Sequence, residues 1–242
     1  MGRGLPRILV GALLLAGLGA GCSEGGRASG RAAVEDYNEG LEAEGALAAR
    51  ALEVPAGAPV VAFLGDSIAA GYQLSADAAF PAVLQRELAA DGRPFKLVNA
   101  GVSGDTSAGG LRRVDWILRQ DPDVLVIELG GNDGLRGLSP VALEDNLRGI
   151  VERARGAGAD VLLLGLQLPP SLGADYVREV EAVYPRLAAE LDLAFVPQFM
   201  RGVGGVPELN LSDGLHPTAE GQRRIAERVA PVLGSLLDRL AE

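Results

Sequence analysis

Val60-Val61-Ala62-Phe63-Leu64-Gly65-Asp66-Ser67, continuing into Ile68-Ala69-Ala70-Gly71, is the segment from which the architecture of this chain opens. A short continuous apolar run, β-branched at its start and closed by Gly65, has the composition of a strand buried on both faces. The next regular segment is helical in pattern, so the chain leaves a parallel sheet at its carboxyl edge, where open α/β sheets hold their ligands. Ser67 then stands on a tight turn above the sheet, placed as a nucleophile awaiting a base. Taken alone, Gly-Asp-Ser reads more simply as a turn in which Asp66 and Ser67 cap the following amides. The case for chemistry therefore rests on the remainder of the chain.

Beyond this segment, apolar runs alternate with amphipathic ones. Further strands are expected at Phe95–Gly101, Val124–Leu129, Val161–Leu166 and Leu193–Val196. Between them, Phe80, Val83, Leu84 and Leu88 recur at helical spacing, as do Leu143, Leu147, Ile150, Val151 and Ala154. Ser139-Pro140 opens the latter helix as cap and first-turn proline. Tyr176, Val180, Val183, Tyr184 and Leu187 repeat the pattern, with Pro185 expected to kink or end that helix. A last helix carries Ile225, Val229, Val232, Leu236 and Leu240. Five strands alternating with helices predict an α/β fold built on one doubly wound parallel sheet.

The 242 residues allow one large domain or two small ones. A net charge of −10 argues against nucleic acid, which requires a basic face. Residues 1–21 read as a signal peptide: Arg3 and Arg7 precede an apolar stretch, Ile8 to Leu18, too short to span a bilayer. It closes on Gly19-Ala20-Gly21 before Cys22, the only cysteine, which resembles a bacterial lipobox with Cys22 as the lipidated residue. Gly19 stands where a lipobox usually has leucine, and ordinary cleavage near Ala20 is the alternative. Residues 22–58, rich in Gly, Ala, Ser and charge, read as a tether, with Leu41, Leu47 and Leu52 hinting at one weak helix. Residues 59–242 form the expected domain. A lone cysteine excludes an intramolecular disulfide and a cysteine-based zinc site, and no metal is expected.

The chemistry is concentrated in the residues immediately after each strand. Gly65-Asp66-Ser67 succeeds the first, Asn99-Ala100-Gly101-Val102-Ser103-Gly104-Asp105-Thr106-Ser107 the second, Gly130-Gly131-Asn132-Asp133-Gly134 the third, and Asp213-Gly214-Leu215-His216-Pro217 ends the loop after the fifth. Serine-based acyl transfer needs a nucleophile, a base, a group that orients the base, and donors for the oxyanion. His216 is the single histidine and the only candidate base. Asp213, three residues before it, is placed to hold the imidazole tautomer. Asn132 offers a side-chain amide and Gly101 a backbone N–H to an oxyanion, although each alone is a common turn residue. If His216 is the base, activity falls in acid as the ring takes a proton.

With these residues in place, the chain resembles the SGNH, or GDSL, hydrolases. Gly-Asp-Ser-Ile-Ala-Ala-Gly-Tyr, Ser-Gly-Asp-Thr-Ser, Glu-Leu-Gly-Gly-Asn-Asp-Gly-Leu-Arg-Gly and Asp-Gly-Leu-His-Pro are similar to the bacterial arylesterase, thioesterase and lysophospholipase branch. Ile68 replaces the leucine of the family's name. The resemblance implies a flavodoxin-like three-layer α/β/α sandwich with strand order 2-1-3-4-5. It also implies a triad of Ser67, His216 and Asp213, and an oxyanion hole from the N–H groups of Ser67 and Gly101 with the Asn132 amide. No cofactor is implied.

Leu135 and Leu138, Pro169 and Leu172, and Met200 stand in loops flanking these motifs. If they line a groove, the acyl group is an aliphatic chain carried on an ester, thioester or lysophospholipid; loop anchoring explains them equally. A sugar O-acetyl esterase on the same site is the alternative enzyme. A flavodoxin-like ligand-binding envelope lipoprotein is the alternative without catalysis, for which a flavin-like absorbance would speak. An α/β-hydrolase is disfavoured because Ser67 lacks a Gly-x-Ser-x-Gly setting, and no Walker-type loop surrounds Lys96. The expected address is the cell envelope, as a periplasm-facing, outer-membrane lipoprotein held at Cys22, or a soluble periplasmic or secreted protein if Cys22 is not lipidated.

Overall fold

Val61 to Leu64 are fully shielded from solvent, as an apolar run with no polar alternation requires of a central strand. They belong to β1 (Val60–Gly65), which pairs in parallel with β2 (Lys96–Gly101) on one side and β3 (Val124–Glu128) on the other. β4 (Asp160–Leu164) and β5 (Ala194–Val196) complete the five-stranded sheet in the order β2-β1-β3-β4-β5. The computed structural model describes residues 54–242; the signal segment, Cys22, most of the tether and its hinted helix lie outside them.

The crossovers are helical. α1 (Ser67–Ala70) and α2 (Phe80–Ala90) follow β1, α3 (Ser107–Leu118) follows β2, and α4 (Gly131–Leu135) and α5 (Pro140–Gly156) follow β3. α6 (Ala174–Glu190) follows β4, and α7 (Ala219–Leu240) ends the chain. α2 contacts α7, while α5 contacts both α3 and α6, giving one helical layer on each face of the sheet. Phe80 packs edge-on to Phe63 with ring centroids 5.6 Å apart, joining α2 to β1.

The expected sandwich and strand order are observed, and strand ends differ from the sequence reading by two residues at most. One expectation is corrected. Pro185 neither ends nor breaks α6, which runs on to Glu190, because buried Val180, Val183, Tyr184, Leu187 and Ala188 anchor it on both sides of the ring. Gly131–Leu135, whose Asn132 had the look of a turn residue, is a helix, as is Ser107–Leu118, for which the sequence suggested no element. The second is started by Thr106, whose side chain accepts from the Gly109 N–H.

Candidate active site

The β1 end dictates the first part of the site. Asp66 caps α1 by accepting the Ile68 N–H at 3.0 Å, which leaves Ser67 as the first helical residue. A residue there has no intrahelical acceptor for its own N–H. Ser67 is 8% exposed, at the carboxyl edge of the sheet as anticipated.

The loop before α7 brings the base to it. Leu211 donates its N–H to the His216 carbonyl at 2.7 Å, and Gly214 donates to Leu211 at 2.9 Å, closing the loop on itself. Asp213 Oδ1 accepts the Leu215 and His216 N–H groups at 2.9 and 3.0 Å. Its Oδ2 lies 2.7 Å from His216 Nδ1, and His216 Nε2 lies 2.9 Å from Ser67 Oγ. The two backbone N–H bonds, then the bond from the imidazole, hold the Asp213 carboxyl at about 2, well below the usual aspartate value. Asp213 is therefore an anion at neutral pH, which fixes the proton on Nδ1 and leaves Nε2 to face Ser67. The Tyr72 ring covers the imidazole, with centroids 4.2 Å apart and planes 32° from parallel.

Asn132 lies in α4, reached from β3 through Gly130 and Gly131. One N–H of its side-chain amide donates to Asp66 Oδ2 at 3.1 Å, so the second remains for another acceptor. The neighbouring Asp133 fixes α4: its carboxylate takes the N–H and hydroxyl of Ser107 at 2.8 and 2.5 Å. Asn146 holds that hydroxyl in turn at 3.0 Å.

Gly101 does not fit its expected part. Its N–H donates to Asn99 Oδ1 at 3.0 Å, while Asn99 Nδ2 bonds the Ala69 carbonyl at 2.7 Å. A Cβ at Gly101 would lie 2.4 Å from the Ala70 nitrogen, so glycine is needed there for close packing of β2 on α1. Gly104, three residues on, sits at φ +81°, the left-handed region that favours glycine. Its carbonyl accepts from Arg136, one turn beyond Asn132, at 2.8 Å. Its N–H has no protein acceptor among the described residues. The positive φ is invisible in sequence, and Ser103-Gly104-Asp105 was the only available hint. Arg113 pins this turn, bonding Asp105 at 2.7 Å and the Ala100 and Gly65 carbonyls at 2.6 and 3.0 Å.

The five apolar residues suggested by sequence differ in exposure. Leu135 at the end of α4 and Leu138 just beyond it are 43% and 41% exposed, whereas Leu172 and Met200 pack partly against the core. Pro169 is half-buried on the loop after β4. A cavity of about 540 Å³ opens on the β4–β5 flank, lined by residues including Leu166, Pro170, Val177 and Phe195. None of the five, and none of Ser67, Asn132, Asp213 or His216, is among its lining.

The pattern that defines the GDSL-like Lipase/Acylhydrolase family matches residues 63–224. The chain belongs to this family. Esterase TesA of Pseudomonas aeruginosa is 46% identical over 80% of this chain and 96% of that protein. Thioesterase 1/protease 1/lysophospholipase L1 of Escherichia coli is 41% identical over 76% of this chain and 87% of its own length. The crystal structure of TesA superposes with a TM-score of 0.71, covering 73% of this chain and 99% of that one at 46% identity. AlinE4, described as an SGNH-hydrolase family esterase, superposes with a TM-score of 0.63 at 39% identity, over 75% of this chain and 97% of its own. Membership makes the chain a carboxylic ester hydrolase.

Proposed function

We propose that the protein is a serine esterase that hydrolyses carboxylic esters and thioesters of aliphatic acyl chains, lysophospholipids among them. The unbroken path Ser67 Oγ, His216 Nε2, His216 Nδ1, Asp213 Oδ2, at 2.9 and 2.7 Å, is the observation that carries this reading. His216 Nε2 accepts the hydroxyl proton as Ser67 Oγ adds to the acyl carbon. Asp213 remains ionised and stabilises the imidazolium that results. His216 then returns the proton to the leaving alcohol or thiol, and the acyl-enzyme is released by water through the same steps in reverse order.

The oxyanion is received by the Ser67 N–H, the second N–H of Asn132 and the Gly104 N–H, which replaces Gly101 because its hydrogen is not already used. Each such donor is worth roughly 10²–10³ in kcat. Aliphatic rather than acetyl substrates are supported by the exposed Leu135 and Leu138, at the end of α4 and just beyond it, and by the thioesterase and lysophospholipase names of the Escherichia coli relative. A series of p-nitrophenyl esters of rising acyl length tests the substrate class. An optimum beyond acetate is expected; acetate as the best substrate would favour the sugar O-acetyl esterase reading. The sequence of residues 1–22 supports an envelope address, with Cys22 as the lipidated residue of the exported chain.

A further inference from the structure

Behind Ser67 lie two carboxyl groups to which acyl transfer by the triad gives no task. Glu128 ends β3 directly opposite Gly65 in the sheet, with 4% exposure. Its Oε2 accepts the N–H groups of Asp66 and Ala69 at 3.0 and 3.2 Å, one on either side of Ser67. Gly65 makes this reach possible, since a Cβ there would stand 2.6 Å from the same oxygen. Asp66, 3% exposed, accepts with both oxygens: Oδ1 from Ile68 and Oδ2 from Asn132.

Glu128 is bonded to the backbone of Asp66 itself, and two carboxylates shielded from solvent and acting on each other cannot both ionise without a large electrostatic cost, so one proton is retained. The acceptor pattern assigns it. Both Asp66 oxygens receive N–H donors. Glu128 receives its donors on Oε2 alone, leaving Oε1 for a hydrogen. Burial, then the Asp66 charge, pushes Glu128 well above the usual glutamate range, while Asp66 is raised only to about 6.

We infer that Asp66 and Glu128 are a positioning pair with one proton between them. Neutral Glu128 clamps the turn that carries Ser67, and ionised Asp66 holds one N–H of Asn132 so that the other is aimed at the oxyanion. The inference rests on the proposed roles of Ser67 and Asn132.

Substitution separates the two acids. Asp66→Asn keeps one carbonyl oxygen where two bonds are made, so kcat falls about 10²-fold with little change in KM, the scale of one oxyanion donor. Glu128→Leu removes the clamp and is expected to lower kcat about as much, whereas Glu128→Gln, an acceptor carrying N–H donors in place of the O–H, restores most of the loss. Equal kcat for wild type and Asp66→Asn, or no rescue by glutamine over leucine, overturns the pair. Melting temperatures recorded on the same samples separate lost fold from lost positioning.

If the leucine variant does not fold, infrared spectroscopy of the folded wild type at pH 7.5 decides. A carboxylic-acid carbonyl band that disappears in Glu128→Gln is expected; its absence from wild type, or its persistence in the variant, overturns the assignment. The band is read without turnover, and Ser67→Ala assayed alongside distinguishes failure of the serine reading from failure of the pair.

Discussion

Glu128 has a measurable cost as well as a use. Burial holds its carboxyl protonated in the folded protein at pH values where the unfolded chain has released that proton. The folded state therefore binds more protons, and stability through this group falls as pH rises above the ordinary glutamate value of about 4.3. Glu128→Gln has no proton to retain. Its stability relative to wild type, measured by urea unfolding, is predicted to be more favourable at pH 7.5 than at pH 4. Asp213 works with the opposite sign: its depressed carboxyl contributes stability above the unfolded aspartate value, and that contribution is lost as pH falls towards about 2. Ser67 was legible as a candidate at a strand end, and His216 with Asp213 three residues before it as the single histidine beside a carboxylate. Glu128 was not, because in sequence it is the polar end of an apolar strand. Only the register against Gly65 shows where its carboxyl goes.

At the scale of elements, the site depends on joints between helices as much as on strand ends. Gln222 in α7 is 1% exposed; its Oε1 accepts the Phe80 N–H at 2.8 Å and its Nε2 donates to the Ile68 carbonyl at 3.0 Å. One side chain thus ties α7 to the start of α2 and to the turn behind Ser67. Gln222→Ala leaves the Phe80 N–H buried without a partner and the Ile68 carbonyl with the Gly71 N–H alone, and the orphaned donor costs about 1–3 kcal/mol. A fall in unfolding free energy of that order is expected in urea titration; a change below about 0.5 kcal/mol would show the joint to be dispensable. The strands and long helices were legible from periodicity, since an apolar face of fixed period has few alternatives. α3 and α4 were not: the glycines around Asn132 have turn chemistry, and the glycines of α3 interrupt its apolar period. Thr106 caps one, and the Ser107–Asp133 contact fixes the other in place. Pro185 misled for the complementary reason: packing around it outweighs the lost backbone bond.

For the whole molecule, the order β2-β1-β3-β4-β5 places the ends of β1, β2 and β3 side by side, and the loop before α7 lays His216 over them. That the strand ends share one edge follows from the alternation of strands and helices; their order was implied by the family resemblance. The difference in exposure between Leu135 and Leu138 on one hand and Leu172 and Met200 on the other does not follow from that alternation, since it depends on how each loop packs. The proposed anchor belongs to this scale too. Full-length protein expressed in a Gram-negative host is predicted to partition into the detergent phase of a cloud-point extraction, and Cys22→Ala into the aqueous phase; equal partitioning would exclude lipidation at Cys22.

The proposed mechanism stands or falls on Ser67 as nucleophile, and hydrolysis of p-nitrophenyl esters by wild type and Ser67→Ala side by side is its sharpest test. Turnover by wild type is expected, with a loss of several orders of magnitude in the variant, about 10⁶-fold where triad serines act as a unit. Turnover undiminished in Ser67→Ala, or none by wild type on any acyl length, would refute it.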